Sequence, residues 1–577
     1  MSTSDDAAAD PAAPPPPEPA RRGVLGAFAV FAERRTAIML ALGFAAGLPN
    51  LLIFDTLSAW LRDSGLSLEV ISFFSLATLS YSFKFLWAPL VDRAEVPWLT
   101  KLLGHRRSWM LVAQAAITVG LLCVAGADPK ANLGLVALFA VFTGFSSATQ
   151  DIVIDAWRIE AADISRQGAM AAAYQWGYRI AIIVAGAVPL ILADQIGWHL
   201  SYGLMAGLML IGVAAVLLAP SETSHVIRPI PSTGRRENPV LETLEWLVRL
   251  AIMALGALLV GSGLGANAAV LSQLVSGVGL PEAGAALKAA WAAKPDGVWL
   301  QLIGVLAGFV VIVVAAWPIP HIKTRPGLYL SHALGDPLAD FFGRFGKAAF
   351  LILALICLYR LSDFVLNIMT PFYQDLGFSK TEIAEARKVF GVAASMVGVF
   401  AGGWSVARLG ITRSMVIGAF ALPITNTIFA WLATQGPDFH SLLFAIGVDN
   451  VVSGYAGTCL IAFMSSLTSV GFTATQYALF SSLYSLPGKL IASQSGRIVE
   501  SAAKASEHGG LFGALRGFFA HLPPTAFASA MTKSHVAPAA LGAGYMVFFL
   551  YSGLVGVASM VLAVLVARSQ GGVRAKI

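Results

Sequence analysis

The scarcest property of this chain is charge. Only 12% of its 577 residues are charged while 57% are hydrophobic, against about 25% charged in soluble domains. Two soluble domains of that combined length need far more polar surface. The three cysteines, Cys123, Cys357 and Cys459, all lie in apolar stretches, which argues against a disulfide scaffold or a zinc cluster. A Gly-Lys-Ser phosphate loop is missing, so ATP-driven pumping by this chain is not expected. The nine histidines fall near loops without metal-ligand spacing, and neither a metal nor a cofactor is expected. The start lacks a basic segment running into a hydrophobic core and does not read as a cleavable signal. Residues 1–20, with Asp5, Asp6 and an Ala/Pro-rich run, read as a disordered tail. The segment Arg21 to Arg35 reads as an interfacial helix. The net charge of +6 is spread over short gaps between apolar runs, so a nucleic-acid partner is not expected either.

What is there is a series of apolar runs, each near the ~20 residues that cross a bilayer as a helix. They fall at 37–60, 68–90, 108–126, 132–156, 168–192, 199–219, 248–276, 299–320, 348–372, 383–406, 411–433, 440–466, 473–494 and 542–567. The expected fold class is therefore all-α and polytopic, with fourteen spans. Residues 282–293, interrupted by Glu282 and Lys288, read as a surface helix. The basic residues concentrate on the side that holds both termini, as with Arg93, Lys101, Arg106 and Arg107, and with Arg228, Arg235 and Arg236. By the positive-inside rule that side is cytoplasmic. The expected organisation is a tail at 1–36, a six-helix bundle at 37–220 and a linker region with two extra spans at 221–347. A second six-helix bundle follows at 348–567, with a long outer loop at 495–541, and then a tail at 568–577. An amphipathic stretch near Leu511 to Phe519 within that loop fits the outer membrane surface.

Two short matches point to an internal duplication. Trp60-Leu61-Arg62-Asp63-Ser64-Gly65-Leu66-Ser67 lies against Phe372-Tyr373-Gln374-Asp375-Leu376-Gly377-Phe378-Ser379. Both place Asp two residues before a turn glycine, with a serine able to cap the next helix. Further along, Asp92-Arg93 before Gly104-His105-Arg106-Arg107 corresponds to Gly402-Gly403 before Arg408-Leu409-Gly410 and Arg413. Parallel six-helix repeats are the plan of the major facilitator fold. The loop after the second span resembles that superfamily's signature loop in degenerate form. Asp92, Arg93, Arg106, Arg107 and Arg408 are therefore gating candidates, with ordinary positive-inside charge as the alternative.

Polar groups at membrane depth are costly and mark function. Gln150-Asp151-Ile152-Val153-Ile154-Asp155-Ala156-Trp157-Arg158 ends the fourth span. Asp151 and Asp155, four apart, share one helix face. Two carboxylates so close resist double ionisation and are candidates to carry a coupled proton; otherwise Asp155 and Arg158 make a surface pair. Substrate-binding candidates are Lys84, Gln150, Tyr174, Tyr178, Arg179, Arg360, Asp363, Asn367, Asn450 and Gln476. For Lys84 the competing reading is snorkelling to the interface. For Arg360 and Asp363 it is mutual neutralisation one helical turn apart. For the tyrosines it is core packing, and for the amides an interhelical hydrogen bond.

Several motifs together resemble the AmpG family of muropeptide permeases in the major facilitator superfamily. They are Gly43-Phe44-Ala45-Ala46-Gly47-Leu48-Pro49, Phe83-Lys84-Phe85-Leu86-Trp87-Ala88-Pro89-Leu90-Val91-Asp92-Arg93, the Gln150-to-Trp157 segment and Phe472-Thr473-Ala474-Thr475-Gln476-Tyr477-Ala478-Leu479. The resemblance implies twelve core spans plus two extra ones. It also implies proton-driven import of anhydromuropeptides (N-acetylglucosaminyl-anhydro-N-acetylmuramyl peptides) for peptidoglycan recycling, and in some bacteria a link to beta-lactamase induction. The partners it implies are the muropeptide, protons and membrane lipid, with the monomer as functional unit. A carrier of another large anion such as acetyl-coenzyme A, or a non-transporting receptor, are the alternatives.

Overall fold

Inside a bilayer the backbone has no water to bond, so a chain this apolar closes its hydrogen bonds within helices. The computed structural model describes residues 33–53, 55–64, 81, 84–163, 166–220, 222, 238–264, 267–293, 297–317, 324–379, 382–383, 385–492, 495–528, 530–533 and 535–574. Among these residues there is no strand, and eleven helices are long and apolar enough to cross a membrane, or twelve if one bent pair counts as a span. The described residues account for up to twelve of the fourteen expected spans. The second expected span lies mostly outside the described residues. The thirteenth forms as the helix Thr473–Ala492 but is not among the helices apolar enough to cross.

In chain order the helices are α1 (Arg34–Ile53), α2 (Asp55–Asp63), α3 (Ala88–Arg93), α4 (His105–Gly126), α5 (Leu133–Glu160), α6 (Gln167–Ile196) and α7 (Trp198–Leu218). The connecting region holds α8 (Pro239–Leu264), α9 (Ala269–Gly277), α10 (Pro281–Ala292), α11 (Gly297–Ala316) and α12 (Arg325–Phe345). Then come α13 (Ala348–Leu358), α14 (Met369–Leu376), α15 (Gly391–Leu409), α16 (Ile411–Leu432), α17 (Phe439–Ser466), α18 (Thr473–Ala492), α19 (Ser495–Glu507) and α20 (Pro538–Arg574). The expected span 348–372 is broken: α13 gives way to a 3-10 stretch, Leu361–Ile368, before α14. A π-helical turn, Glu385–Phe390, precedes α15. Between α12 and the segment that follows it, the chain bends by 113°.

Small residues set the closest packing. A Cβ on Gly177 of α6 would fall on the Leu40 carbonyl of α1, and one on Gly43 would fall on the Tyr174 carbonyl. The two helices thus meet backbone to backbone, the arrangement that substitutes for the hydrophobic effect in lipid. The duplication is visible in the backbone. Gly104 and Gly410 hold φ of 93° and 86° at the starts of α4 and α16. Four residues on, Ser108 and Ser414 each donate back to that glycine's carbonyl, at 2.6 and 2.9 Å. Ser379 and Glu382 form a reciprocal capping box at 3.2 and 2.9 Å, the device the serine position implied.

The cores show where the two halves are joined. One apolar cluster (Leu48, Trp60, Ile117, Tyr202) draws only on the first half, and another (Phe372, Phe429, Tyr545, Phe549) only on the second. A third puts Ala474 and Ala478 of α18 among Met39, Trp157 and Val216 of the first half. The added pair α8 and α11 packs through Gly256 and Gly308 and meets the body at Phe85, Leu86 and Trp87.

If the α1–α6 crossing is a backbone contact, Gly177→Val lowers the thermal midpoint of the purified protein in detergent. Gly203→Ala, at a helical glycine with open space around it, leaves the midpoint unchanged or raises it, since alanine favours a helix over glycine by about 1 kcal/mol at most. Equal midpoints for the two variants would contradict the close crossing.

Candidate functional site

Between the halves lies a polar cavity of about 340 Å³. The first half lines it with Lys84, Asp151, Asp155, Tyr174, Gln175, Tyr178 and Arg179, the second with Ile461, Met464, Tyr477, Ser481 and Tyr484. Asp151 and Asp155 reach it because α5 presents them one turn apart on one face. Asp155 is shared by two cations: Lys84 Nζ stands 3.9 Å away and Arg158 3.2 Å away. Asp151 accepts a long hydrogen bond from the Tyr174 hydroxyl, 3.5 Å. Tyr178 accepts from Asn50 at 2.8 Å.

Beneath the cavity, Arg158 is fully buried. It donates to Ser465 of α17 at 2.8 Å and lies over the Tyr477 ring of α18, 5.2 Å from the centroid. Such a cation over an aromatic face strengthens when desolvated. Gln175 donates to Thr458 at 2.6 Å and Trp176 to the Met396 carbonyl at 2.8 Å. These bonds tie the halves together at and below the cavity.

Further toward the same end sits a latch. Arg106 is completely buried, with Asp92 and Glu160 each 2.7 Å from its Nη2. Asp92 also accepts from the Ala474 and Thr475 backbone N–H groups, 3.1 and 2.8 Å, and from the Thr475 hydroxyl, 2.6 Å. The carboxylate therefore caps α18, a helix of the other half, at its positive end. The helix α12 braces this latch. Arg93 donates to the His332 carbonyl at 3.3 Å and stands 3.7 Å from Asp336. Gln476 donates to the Pro337 carbonyl at 2.8 Å and to Asp340 at 3.0 Å.

Of the candidate residues, Lys84, Asp151, Asp155, Tyr174, Tyr178 and Arg179 converge on the cavity. Arg360 is in the second half, paired with Asp363 at 2.6 Å and donating to Ser453 at 2.9 Å. Gln150 is fully buried, and neither amide atom has a hydrogen-bond partner among the described residues. Asn450 donates back to the Ile446 carbonyl, Gln476 belongs to the brace, and the side chain of Asn367 lies outside the described residues. Among the gating candidates, Asp92 and Arg106 meet in the latch. Arg107 donates to the Ala219 carbonyl at the end of α7, 2.9 Å. Arg408 is exposed and stacks on Trp404 at 5.3 Å. Sequence reading missed Glu160, Thr475 and the cross-half reach of Arg158. Only the position of Glu160, one turn beyond Ala156 and Trp157 on the same helix, hinted at a third latch residue.

Two helical halves enclosing a charged cavity at membrane depth, latched at one end, define a membrane transporter of the major facilitator type rather than an enzyme. The family model of the Major Facilitator Superfamily matches residues 96–334. The chain is 30% identical over 475 residues to the anhydromuropeptide permease of Escherichia coli K12, covering 82% of this chain and 76% of that one. It is 27% identical over 473 residues to a Rickettsia felis protein bearing the transporter name AmpG 4, covering 82% and 91%. Among solved structures, the E. coli fucose:proton symporter FucP aligns with a TM-score of 0.46 at 12% identity, over 92% of this chain and 98% of that one. The chain belongs to the AmpG family of anhydromuropeptide permeases, within the major facilitator superfamily.

The latch predicts a conformational shift. With spin labels at Lys101→Cys and Arg413→Cys, exposed positions on the two halves, Asp92→Asn moves the distance distribution toward longer separations. An unchanged distribution would mean that the Asp92 charge does not hold the halves together.

Proposed function

We propose that this protein imports anhydromuropeptides from the periplasm to the cytoplasm across the inner membrane, coupled to protons, for peptidoglycan recycling. The observation that carries the reading is the Asp151–Asp155–Lys84 group in the cavity. Asp155 has two cations to balance it, whereas Asp151 has a tyrosine hydroxyl and no basic group within 4 Å among the described residues. A carboxylate at membrane depth without a cation is best kept neutral, so Asp151 carries the transported proton. Losing that proton creates a second charge one turn from Asp155, which water stabilises once the cavity is open to the cytoplasm.

Arg179 lines the same cavity and has no carboxylate partner among the described residues. It meets the acidic groups of the muropeptide, while Tyr174, Tyr178 and Tyr484 offer faces to the sugar rings. The basic loops assign the latch end to the cytoplasm, with both termini on that side. The latched state then faces the periplasm. Substrate and proton enter there, the latch opens, and rocking of the halves exposes both to the cytoplasm. The monomer contains the whole pathway. The permease name of the E. coli relative supports the substrate class.

Proteoliposomes test this with labelled anhydromuropeptide, with and without an inward proton gradient. Wild type accumulates the substrate only with the gradient. Asp151→Asn binds substrate but accumulates no more than the gradient-free control. Accumulation by Asp151→Asn equal to wild type would remove that residue from coupling. Binding without uptake by wild type would make the protein a receptor.

A further inference from the structure

The central cavity, about 340 Å³, lies at the small end of the roughly 300–1,000 Å³ of ligand pockets. It cannot enclose a disaccharide together with a peptide. The floor is closed by Arg158, Ser465 and Tyr477, so the rest of the substrate extends the other way, past Arg360. Resting on the muropeptide reading above, we propose that Asp449, Arg387 and the Arg360–Asp363 pair form a second subsite that takes the zwitterionic amino-acid end of the substrate's peptide.

The helix α17 links the two places. Ile461 lines the cavity, and Gly457 lies beside Gln175 and Arg360. Ser453 accepts from Arg360, and Asp449 comes next. Asp449 stands one turn beyond Ser453, about 18 Å along the axis from Ile461, with Arg360 and Asp363 in electrostatic reach.

The charges at this position are unbalanced locally. Asp449 accepts one hydrogen bond, from the Thr425 hydroxyl at 3.2 Å, and no basic side chain among the described residues stands within 4 Å of it. Arg387 donates to the Thr370 hydroxyl at 2.5 Å, and no described carboxylate stands within 4 Å of it. Asp363 is held by Arg360. The charged groups in electrostatic reach of Asp449 are Asp363, Arg360 and Arg387. An anion and a cation on adjacent elements, each without an ion partner at membrane depth, are expensive unless a ligand completes them. Arg387 sits on the π-helical turn Glu385–Phe390, a distortion that concentrates at functional sites. An α-ammonium on Asp449, with its neighbouring carboxylate on Arg387 and Arg360, satisfies both signs at once. A simple interhelical Asp449–Thr425 bond would need neither arginine.

Calorimetric binding to the purified full chain decides the matter. The probes are an anhydromuropeptide whose peptide ends in a diamino acid with a free amine beside its carboxylate, the same molecule N-acetylated on that amine, and the peptide-free disaccharide. In wild type, acetylation weakens binding at least about tenfold, the size of one charge-assisted hydrogen bond. Asp449→Asn binds both peptides alike at the weaker level and binds the disaccharide as wild type does, which also reports its fold. Should that variant not fold, Arg387→Gln serves, losing discrimination against the same peptide amidated at that carboxylate. A neutral effect of acetylation in wild type, or an equal penalty in Asp449→Asn, overturns the subsite. If wild type binds none of the three probes, the muropeptide reading itself falls, and the subsite with it.

Discussion

A single guanidinium organises the closed end of this transporter. Arg106 is cut off from water and held between two carboxylates on different helices. Removing one member of such a buried group typically costs about 3–5 kcal/mol, because the remaining charges stay buried without compensation. Arg106 thereby holds the Asp92 carboxylate pointed in one direction. That direction is the first turn of α18, where two backbone N–H groups and a hydroxyl receive it. Without Arg106, Asp92 would be a lone buried anion. Without Asp92, the start of α18 would leave donors unsatisfied against the other half.

The charge arrangement then continues inward in layers. Arg158 forms the cavity floor and bonds Asp155 on its own helix and Ser465 on the opposite half. Lys84 approaches Asp155 from the cavity side. Asp155 is thus connected, through Arg158, to groups that change partners when the halves separate. Opening has to break hydrogen bonds to charged groups at two levels, which makes intermediate separations unfavourable and favours two discrete states. The brace α12 adds weight at the outer level. Its 113° bend sets it across the base of α13, where Asp340 accepts from Ser469 at 2.7 Å.

Much of this was legible in the sequence, for identifiable reasons. Asp151, Asp155, Lys84 and Arg179 stood out because charge in an apolar run is rare, and all four line the cavity. The repeat was readable because Gly104 and Gly410 occupy a backbone conformation that favours glycine. Partners across the halves were not readable. Gln476 has the composition of a ligand-binding amide, yet its bonds go to α12, a helix more than a hundred residues earlier. Thr475 carries no charge and gave no signal, although it completes the latch. Hydropathy and geometry part company at particular places in the chain. A window average cannot see the break after Leu358, and α18 is a full helix with a polar start.

The central claim is that the halves are joined at the latch end and that the cavity opens only to the opposite side. Ser481→Cys, in a background with Cys123, Cys357 and Cys459 replaced, puts one thiol on the cavity wall. A membrane-impermeant maleimide can then be added to vesicles of either orientation. The structure predicts labelling from the side opposite the latch and none from the latch side in the absence of substrate. Labelling from the latch side alone would contradict the closed latch and the cycle built on it.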